Sequence, residues 1–295
     1  MKLENEYLLL EIAESGAEVT RIYDKGMDTE ILWNADPTYW KRHSPILFPN
    51  VGRTWNNTVK IDGVQYPTCQ HGFARDSEFV CTETTDTRAS FVLRATEETK
   101  KVYPYEFELT VIYVLRGKEV DVEWQVKNPG GQTSGNEGRM YFTIGGHPAF
   151  RFAKAGETKA DYMLKFPGME ELTYILLDPA SGTGVPETTY KLKLEDEMCP
   201  VTEEMFEKDA LVFDHHQIEE VWLCRKDGSP YVGMRCPGFE NYGIWSVKGA
   251  PFVCLEPWAG RCDNRGFDED ISHKPGINSV TAGETFSRKY TIVVA

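Results

Sequence analysis

Three ionisable residues stand where apolar stretches of this chain break into Gly, Pro and aromatic residues. They are His71 in Gln70-His71-Gly72-Phe73-Ala74-Arg75-Asp76, His147 in Gly145-Gly146-His147-Pro148-Ala149-Phe150, and Glu256 in Leu255-Glu256-Pro257-Trp258. Strand ends and loops are where β scaffolds present reacting groups, and glycine there lets a ligand or another segment come close. An imidazole and a carboxylate can divide general acid–base work, one giving a proton as the other takes one. Each residue also has a structural alternative. His71 can be satisfied within a turn, His147 can be a buried core histidine, and Glu256 can point from a strand end into water. Glu256 follows Phe252-Val253-Cys254-Leu255, and burying it there is costly unless it is paired or used.

Other residues near these points could bind. Arg53, in Pro49-Asn50-Val51-Gly52-Arg53, follows Ile46-Leu47-Phe48; its fork of donors suits hydroxyls or a phosphate, or it covers a sheet edge. Arg75 precedes Asp76, which can neutralise it as a surface pair of little energetic weight. Trp258 and Phe73 offer flat apolar faces for the C–H side of a sugar, although such rings are more often core. His215 and His216 are adjacent and read as surface residues. Gly260-Arg261-Cys262-Asp263 and Arg265-Gly266 read as loop residues near Glu256, with no phosphate-loop or dinucleotide fingerprint.

The elements that must position these groups are strands. Phe107, Leu109, Val111, Tyr113 and Leu115 alternate with other residues, Arg116-Gly117-Lys118 makes a turn, and Val120, Val122, Trp124 and Val126 resume the alternation. Period two across a Gly-containing turn predicts a β-hairpin with one buried face. Asn128-Pro129-Gly130-Gly131 then predicts a loop. Further strands are predicted at 8–12, 17–23, 91–95, 221–224 and 290–294, and a local helix at 203–208 with Thr202 as its cap. Turn signals recur, with no linker, repeat or low-complexity stretch. The expectation is one domain over 1–295, all-β, a large antiparallel β-sandwich.

Composition narrows the partners. A net charge of −14 argues against nucleic acid. No run of about 18 apolar residues suggests a membrane span, and the first residues lack a signal-peptide core. Seven cysteines without a Cys-x-x-Cys pair read as reduced thiols. The expected setting is cytoplasmic, as monomer or homodimer.

The three motifs, in this order, resemble the aldose 1-epimerase (galactose mutarotase) family, most closely its LacX-like bacterial branch. There His-Gly-Phe-Ala-Arg, Gly-His-Pro-Ala-Phe and Glu-Pro-Trp-x-Gly segments follow one another, and the resemblance covers nearly the whole chain. It implies a galactose mutarotase-like supersandwich with His147 as general acid and Glu256 as general base. It implies that His71 and Arg53 hold sugar hydroxyls or the ring oxygen. It places a binding aspartate on Asp209, with Asp214 as the competing placement. Better-known galactose mutarotases carry a Thr-His-Pro-Tyr-Phe segment, so galactose specificity does not transfer. The His-Gly-Phe-Ala-Arg wording also resembles hexose-6-phosphate mutarotases.

The implied chemistry interconverts α and β anomers of an aldohexose by proton transfer alone, with no cofactor and no metal. Reference pKa values of about 4.3 for Glu and 6.5 for His leave a window for the pair, and a neighbouring carboxylate is expected to raise the imidazole. The alternatives are a hexose-6-phosphate epimerase, with Arg53 or Arg75 on the phosphate, and a non-catalytic sugar-binding protein on the same fold. Between the first two, Arg75 is expected to be structural and the substrate a free aldose.

Overall fold

The computed structural model describes residues 1–130 and 138–295. Gly131, the last residue of the predicted Asn128 loop, lies outside the described residues. The rest of that loop forms as expected: the buried Asn128 side chain accepts from the Gly130 N–H at 3.1 Å and donates to the carbonyl of Gly138 at 2.9 Å.

The predicted hairpin is present as Glu108–Arg116 and Glu119–Lys127, in register from Glu108↔Lys127 to Arg116↔Glu119. Its nine alternating apolar residues, Phe107 to Val126, are all buried. The hairpin lies within a nine-stranded antiparallel sheet, beside Arg88–Arg94 on one side and Thr285–Val294 on the other. Thr285–Val294 and Glu220–Arg225 extend the predicted segments, Arg88–Arg94 begins earlier than the predicted 91–95 and ends one residue short of it, and Leu8–Ile12 matches its own. The strand expected at 17–23 is Val19–Asp24 instead, because Ala17 turns the chain with φ 46°. The helix expected at 203–208 is only a 3-10 turn, Glu204–Phe206, and Glu203 rather than Thr202 takes the capping position. Phe206 is the only buried residue of 203–208, so a longer helix would gain no apolar face, and isolated short helices are marginal.

A second, eight-stranded sheet faces the first. Its inner side packs Tyr242, Ile244, Val253, Leu255 and Ile144 into the large core shared with Trp124, Tyr113 and Phe91. Its outer side is also covered, by clusters around Val212, Ile175 and Trp258 and around Phe252, Cys254 and Ala149. Both faces of the Phe252–Ala259 strand are therefore buried along its whole length. That is why Phe-Val-Cys-Leu-Glu-Pro-Trp-Ala shows no polar alternation.

Candidate functional site

The Phe252–Ala259 strand pairs with two short strands in succession, Ile144–Gly146 and Ala149–Arg151. Both pairings keep one register, Gly145↔Trp258 and Ala149↔Cys254. Between them the only ladder bond among the described residues runs from the Leu255 N–H to the Pro148 carbonyl at 3.2 Å, and at the same register His147 falls opposite Glu256. Its Nε2 lies 3.3 Å from Glu256 Oε1. Proline supplies no N–H to a ladder, so the break in hydrogen bonding that releases His147 is written in the motif.

The glycines of Gly145-Gly146-His147 have distinct tasks. A Cβ on Gly145 would stand 2.4 Å from the Trp258 ring, and one on Gly243, across the sheet, 2.3 Å from the same ring. The two absent side chains are the space in which the indole lies flat. Gly146 faces the inner core, where a Cβ would meet the Tyr290 hydroxyl at 2.9 Å and Trp124 at 3.3 Å. His147 is walled by Trp40, stacked at 4.7 Å between centroids, and by the edges of Trp245 and His71 at 5.6 and 5.5 Å.

His71 has φ 68°, a conformation few non-glycine residues adopt. It is held by a reciprocal pair: the His71 N–H donates to the Gly52 carbonyl at 2.8 Å, and the Gly52 N–H donates to His71 Nδ1 at 3.1 Å. An accepting Nδ1 leaves the proton on Nε2, which becomes a donor on a neutral ring. Gly72 also has positive φ, and a Cβ there would stand 2.2 Å from the Phe48 carbonyl oxygen. Close backbone approach at this glycine, expected from sequence, is thus realised by the Phe48 strand end.

His71, His147, Glu256 and Trp258 line one pocket of about 440 Å³, with Arg75 and Asp209. Its size falls in the ~300–1,000 Å³ range of small-molecule sites. Burial pushes His147 down to about 3, helped by the charges of Arg75 and Arg42 and opposed by its own backbone carbonyl. Burial pushes Glu256 well above the usual carboxylate range; the Asp209 charge adds to this and the Trp258 indole opposes it. His71 is held well below its usual value by burial and by His147. The upward shift expected for His147 is therefore corrected: desolvation of the imidazolium outweighs the neighbouring carboxylate. The Trp258 indole lies near enough to the Glu256 carboxyl to act on it, but no hydrogen bond of normal geometry joins them, and a polar ligand would satisfy both Glu256 Oε2 and Trp258 Nε1.

The other sequence candidates separate. Arg75 is half-buried and faces the pocket, its Nη2 donating to the Gln70 carbonyl at 2.6 Å. The pair expected with Asp76 is present, Arg75 Nε to Asp76 Oδ2 at 3.7 Å, and Asp76 also bonds to Arg42 at the shorter distance of 2.8 Å. Arg53 lines an adjoining lobe, lies along Gly182 and donates to Asn57 Oδ1 at 3.1 Å. Asp209 stands exposed at the shared rim. Asp214 is engaged elsewhere, by Arg261 Nε at 2.8 Å and Asn241 Nδ2 at 2.7 Å. Phe73 is not a sugar platform. It packs with Phe48, Tyr103 and Phe107 on the wall of a separate, almost wholly apolar cavity of about 340 Å³. His215 and His216 are exposed, as expected. Trp40, Arg42 and Trp245 were not singled out from sequence; Trp40 and Arg42 sit in a loop without periodicity, and only the period-two step from Gly243 points to Trp245.

Among the described residues, one group of three donors could hold a metal: His147, Cys254 and Glu256, with ligand atoms within 4.8 Å of one another. Burial keeps the Cys254 thiol protonated, which opposes thiolate coordination. No helix of the described residues is long and apolar enough to cross a membrane.

Facing antiparallel sheets with an imidazole–carboxylate pair on a covered outer face define a galactose mutarotase-like β-sandwich protein. The chain belongs to the aldose 1-epimerase family, whose model matches residues 1–274. It is 30 % identical over 301 residues to the plasmid-encoded protein LacX of Lactococcus lactis subsp. lactis, covering 100 % of this chain and 99 % of the relative. It is similar in structure to a galactose mutarotase related enzyme from Lactobacillus acidophilus, with TM-score 0.91, 29 % identity, and 100 % and 97 % of the two chains covered. A galactose mutarotase-like protein from Lactobacillus casei gives TM-score 0.89 at 26 % identity, covering 100 % and 99 %.

Proposed function

We propose that the protein is a cofactor-independent mutarotase that interconverts the α and β anomers of an aldose. The observation that carries this reading is the His147–Glu256 pair, 3.3 Å apart and buried in the wall of a sugar-sized pocket. Ring opening needs a base for the C1 hydroxyl proton and an acid for O5 as the C1–O5 bond breaks; rotation about C1–C2 and the reverse transfers close the other face. Glu256 takes the first proton, and His147 supplies the second. Each ends in the other's protonation state, so closure restores both without a net change.

The shifts described above decide where the proton rests. Burial lowers His147 and raises Glu256, and both shifts move a shared proton from the imidazole toward the carboxyl in the empty pair. Sugar oxygens entering the pocket supply the polar surroundings in which the proton passes to His147. The His71 Nε2–H donates to a sugar hydroxyl, Asp209 and Arg75 hold others, and Trp258 offers its face to the ring. Arg53 lines the adjoining lobe rather than the one that holds the reacting ring. Cytoplasmic residence and a free rather than phosphorylated aldose belong to the same reading.

Polarimetry or NMR exchange on an aldose panel tests it. His147→Asn and Glu256→Gln each keep side-chain shape and remove proton transfer, so each is expected to lower turnover by about 10²–10⁴ while the circular dichroism stays native. Near-normal turnover in folded Glu256→Gln would sink the assignment of the base.

A further inference from the structure

The pocket does not end at the catalytic pair. Gln70, Leu177, Gly182 and Asp209 form a common wall with a second lobe of about 520 Å³. The inner lobe alone is of small-molecule size, so the outer one repeats the space already available for one sugar ring. Its lining is of a different kind. Arg53, Asn56, Asn57 and Ser181 present amide, guanidinium and hydroxyl groups, and Leu177 with Pro179 adds an apolar strip. Such a mixture suits a ring that is hydroxylated at its edges and C–H-bearing on its faces.

Two features show that the lobe is shaped. Gly182, at φ +69°, leaves the space that the Arg53 stem fills; a Cβ there would lie 2.7 Å from Arg53 Cδ. Asn56 and Asn57 are both left-handed, at φ 55° and 54°, a conformation that asparagine tolerates better than most residues and that concentrates at ligand-contacting turns. The one cation of the lobe, Arg53, is matched by the one anion, Asp209. A balanced pair favours a neutral polyol over a phosphate, which would gather cations without a carboxylate beside them.

We propose, resting on the mutarotase reading, that the preferred substrate is a disaccharide with a free reducing end. The reducing ring lies in the inner lobe against His147 and Glu256, and the second ring lies in the outer lobe against Arg53, Asn56 and Asn57. Binding energy from the second, non-reacting ring then raises kcat/KM for the first.

The test compares mutarotation of glucose and galactose, their 6-phosphates, and 1→4- and 1→6-linked disaccharides of the same sugars. Two variants are used with the wild type: Ala180→Trp, which fills the exposed outer lobe, and Asn56→Gly, which keeps the left-handed turn and removes the amide. The best disaccharide is expected to exceed its reducing-end monosaccharide by about tenfold in kcat/KM, and both variants should erase that advantage while leaving the monosaccharide rate unchanged. The proposal is overturned if no disaccharide exceeds its monosaccharide, if a 6-phosphate exceeds every disaccharide, or if Ala180→Trp slows mono- and disaccharide alike. Calorimetry with the same sugars separates the two claims. Disaccharide binding that Ala180→Trp abolishes, without mutarotation of any sugar, would retain the outer subsite and sink the mutarotase reading; absence of such binding would sink the subsite.

Discussion

At the scale of single residues, the site stores its chemistry as desolvation. Glu256 is 1 % exposed and its Oε2 has no hydrogen-bond partner, so the folded protein holds this carboxyl protonated to higher pH than the unfolded chain does. A raised folded pKa contributes stability below the unfolded value, near 4.5, that is lost as pH rises through the folded value. Glu256→Gln removes that loss. The variant is therefore expected to melt higher than the wild type, with a difference that opens above pH 4.5 and widens with pH, as calorimetric scans across pH would show. A difference constant from pH 4 to pH 8 would contradict it. The histidines act in the opposite sense. His71 and His147 stay neutral in the fold, so unfolding gains protons below the usual imidazole value of 6.5, and stability falls as pH drops toward 3. Loss of activity together with gain of stability in Glu256→Gln is the trade-off expected of a functional group.

At the scale of elements, the site depends on two strands that give up side chains for one ring on a third. Gly145 and Gly243 flank Trp258, and neither can take a methyl group without moving the indole. Gly145→Ala or Gly243→Ala is expected to cost about 1–3 kcal/mol of stability, as overpacking does, and to lower catalytic efficiency because the displaced ring enters the pocket. Denaturant titration and sugar kinetics on the same preparations check both effects. Wild-type stability and kinetics in both variants would show that the ring has room the geometry denies. The element-level reading from sequence succeeded where one face is buried and the other is wet. The Glu108–Arg116 and Glu119–Lys127 hairpin alternates for that reason. It was weaker where both faces are covered, because Phe252–Ala259 carries no alternation. It misjudged the Glu204–Phe206 turn, where acidic residues behind a threonine imitate a helix start.

At the scale of the whole molecule, distant loops converge on buried ion pairs behind the pocket. Asp263 receives Lys274 Nζ at 2.8 Å and the Trp55 N–H at 2.8 Å, and its backbone bonds to Arg53 and Gly184. Both charged side chains are about 5 % exposed. Lys274→Met leaves a buried carboxylate with only a neutral donor and is expected to destabilise by about 3–5 kcal/mol. Measured by denaturant midpoint, a loss below 1 kcal/mol, the range of exposed pairs, would show that the carboxylate finds water instead. Asp263 joins the segment carrying Arg53 to Gly184, close to the outer lobe, so the same variant is expected to weaken disaccharide binding as well.

What the sequence determined by itself was local. It held the period-two burial that makes a β-sandwich, the Gly and Pro breaks that free His71 and His147 from regular pairing, and the motif order that the family shares. These follow from backbone sterics and solvation, which act over a few residues. The tertiary structure alone decided what those residues meet. A register carried across the His147-Pro148 break puts the imidazole opposite Glu256, about 110 residues away in the chain. Folding of the 36–43 loop over the sheet sets Trp40 on the imidazole and pairs Arg42 with Asp76. The same loop helps desolvate His147, so its pKa runs opposite to the sequence expectation. Phe73 and Trp258 have equal claims as bare aromatic letters. One lies in a separate apolar cavity and the other on the wall of the His147–Glu256 pocket, because only Trp258 has Gly145 and Gly243 beside it to give its ring a place.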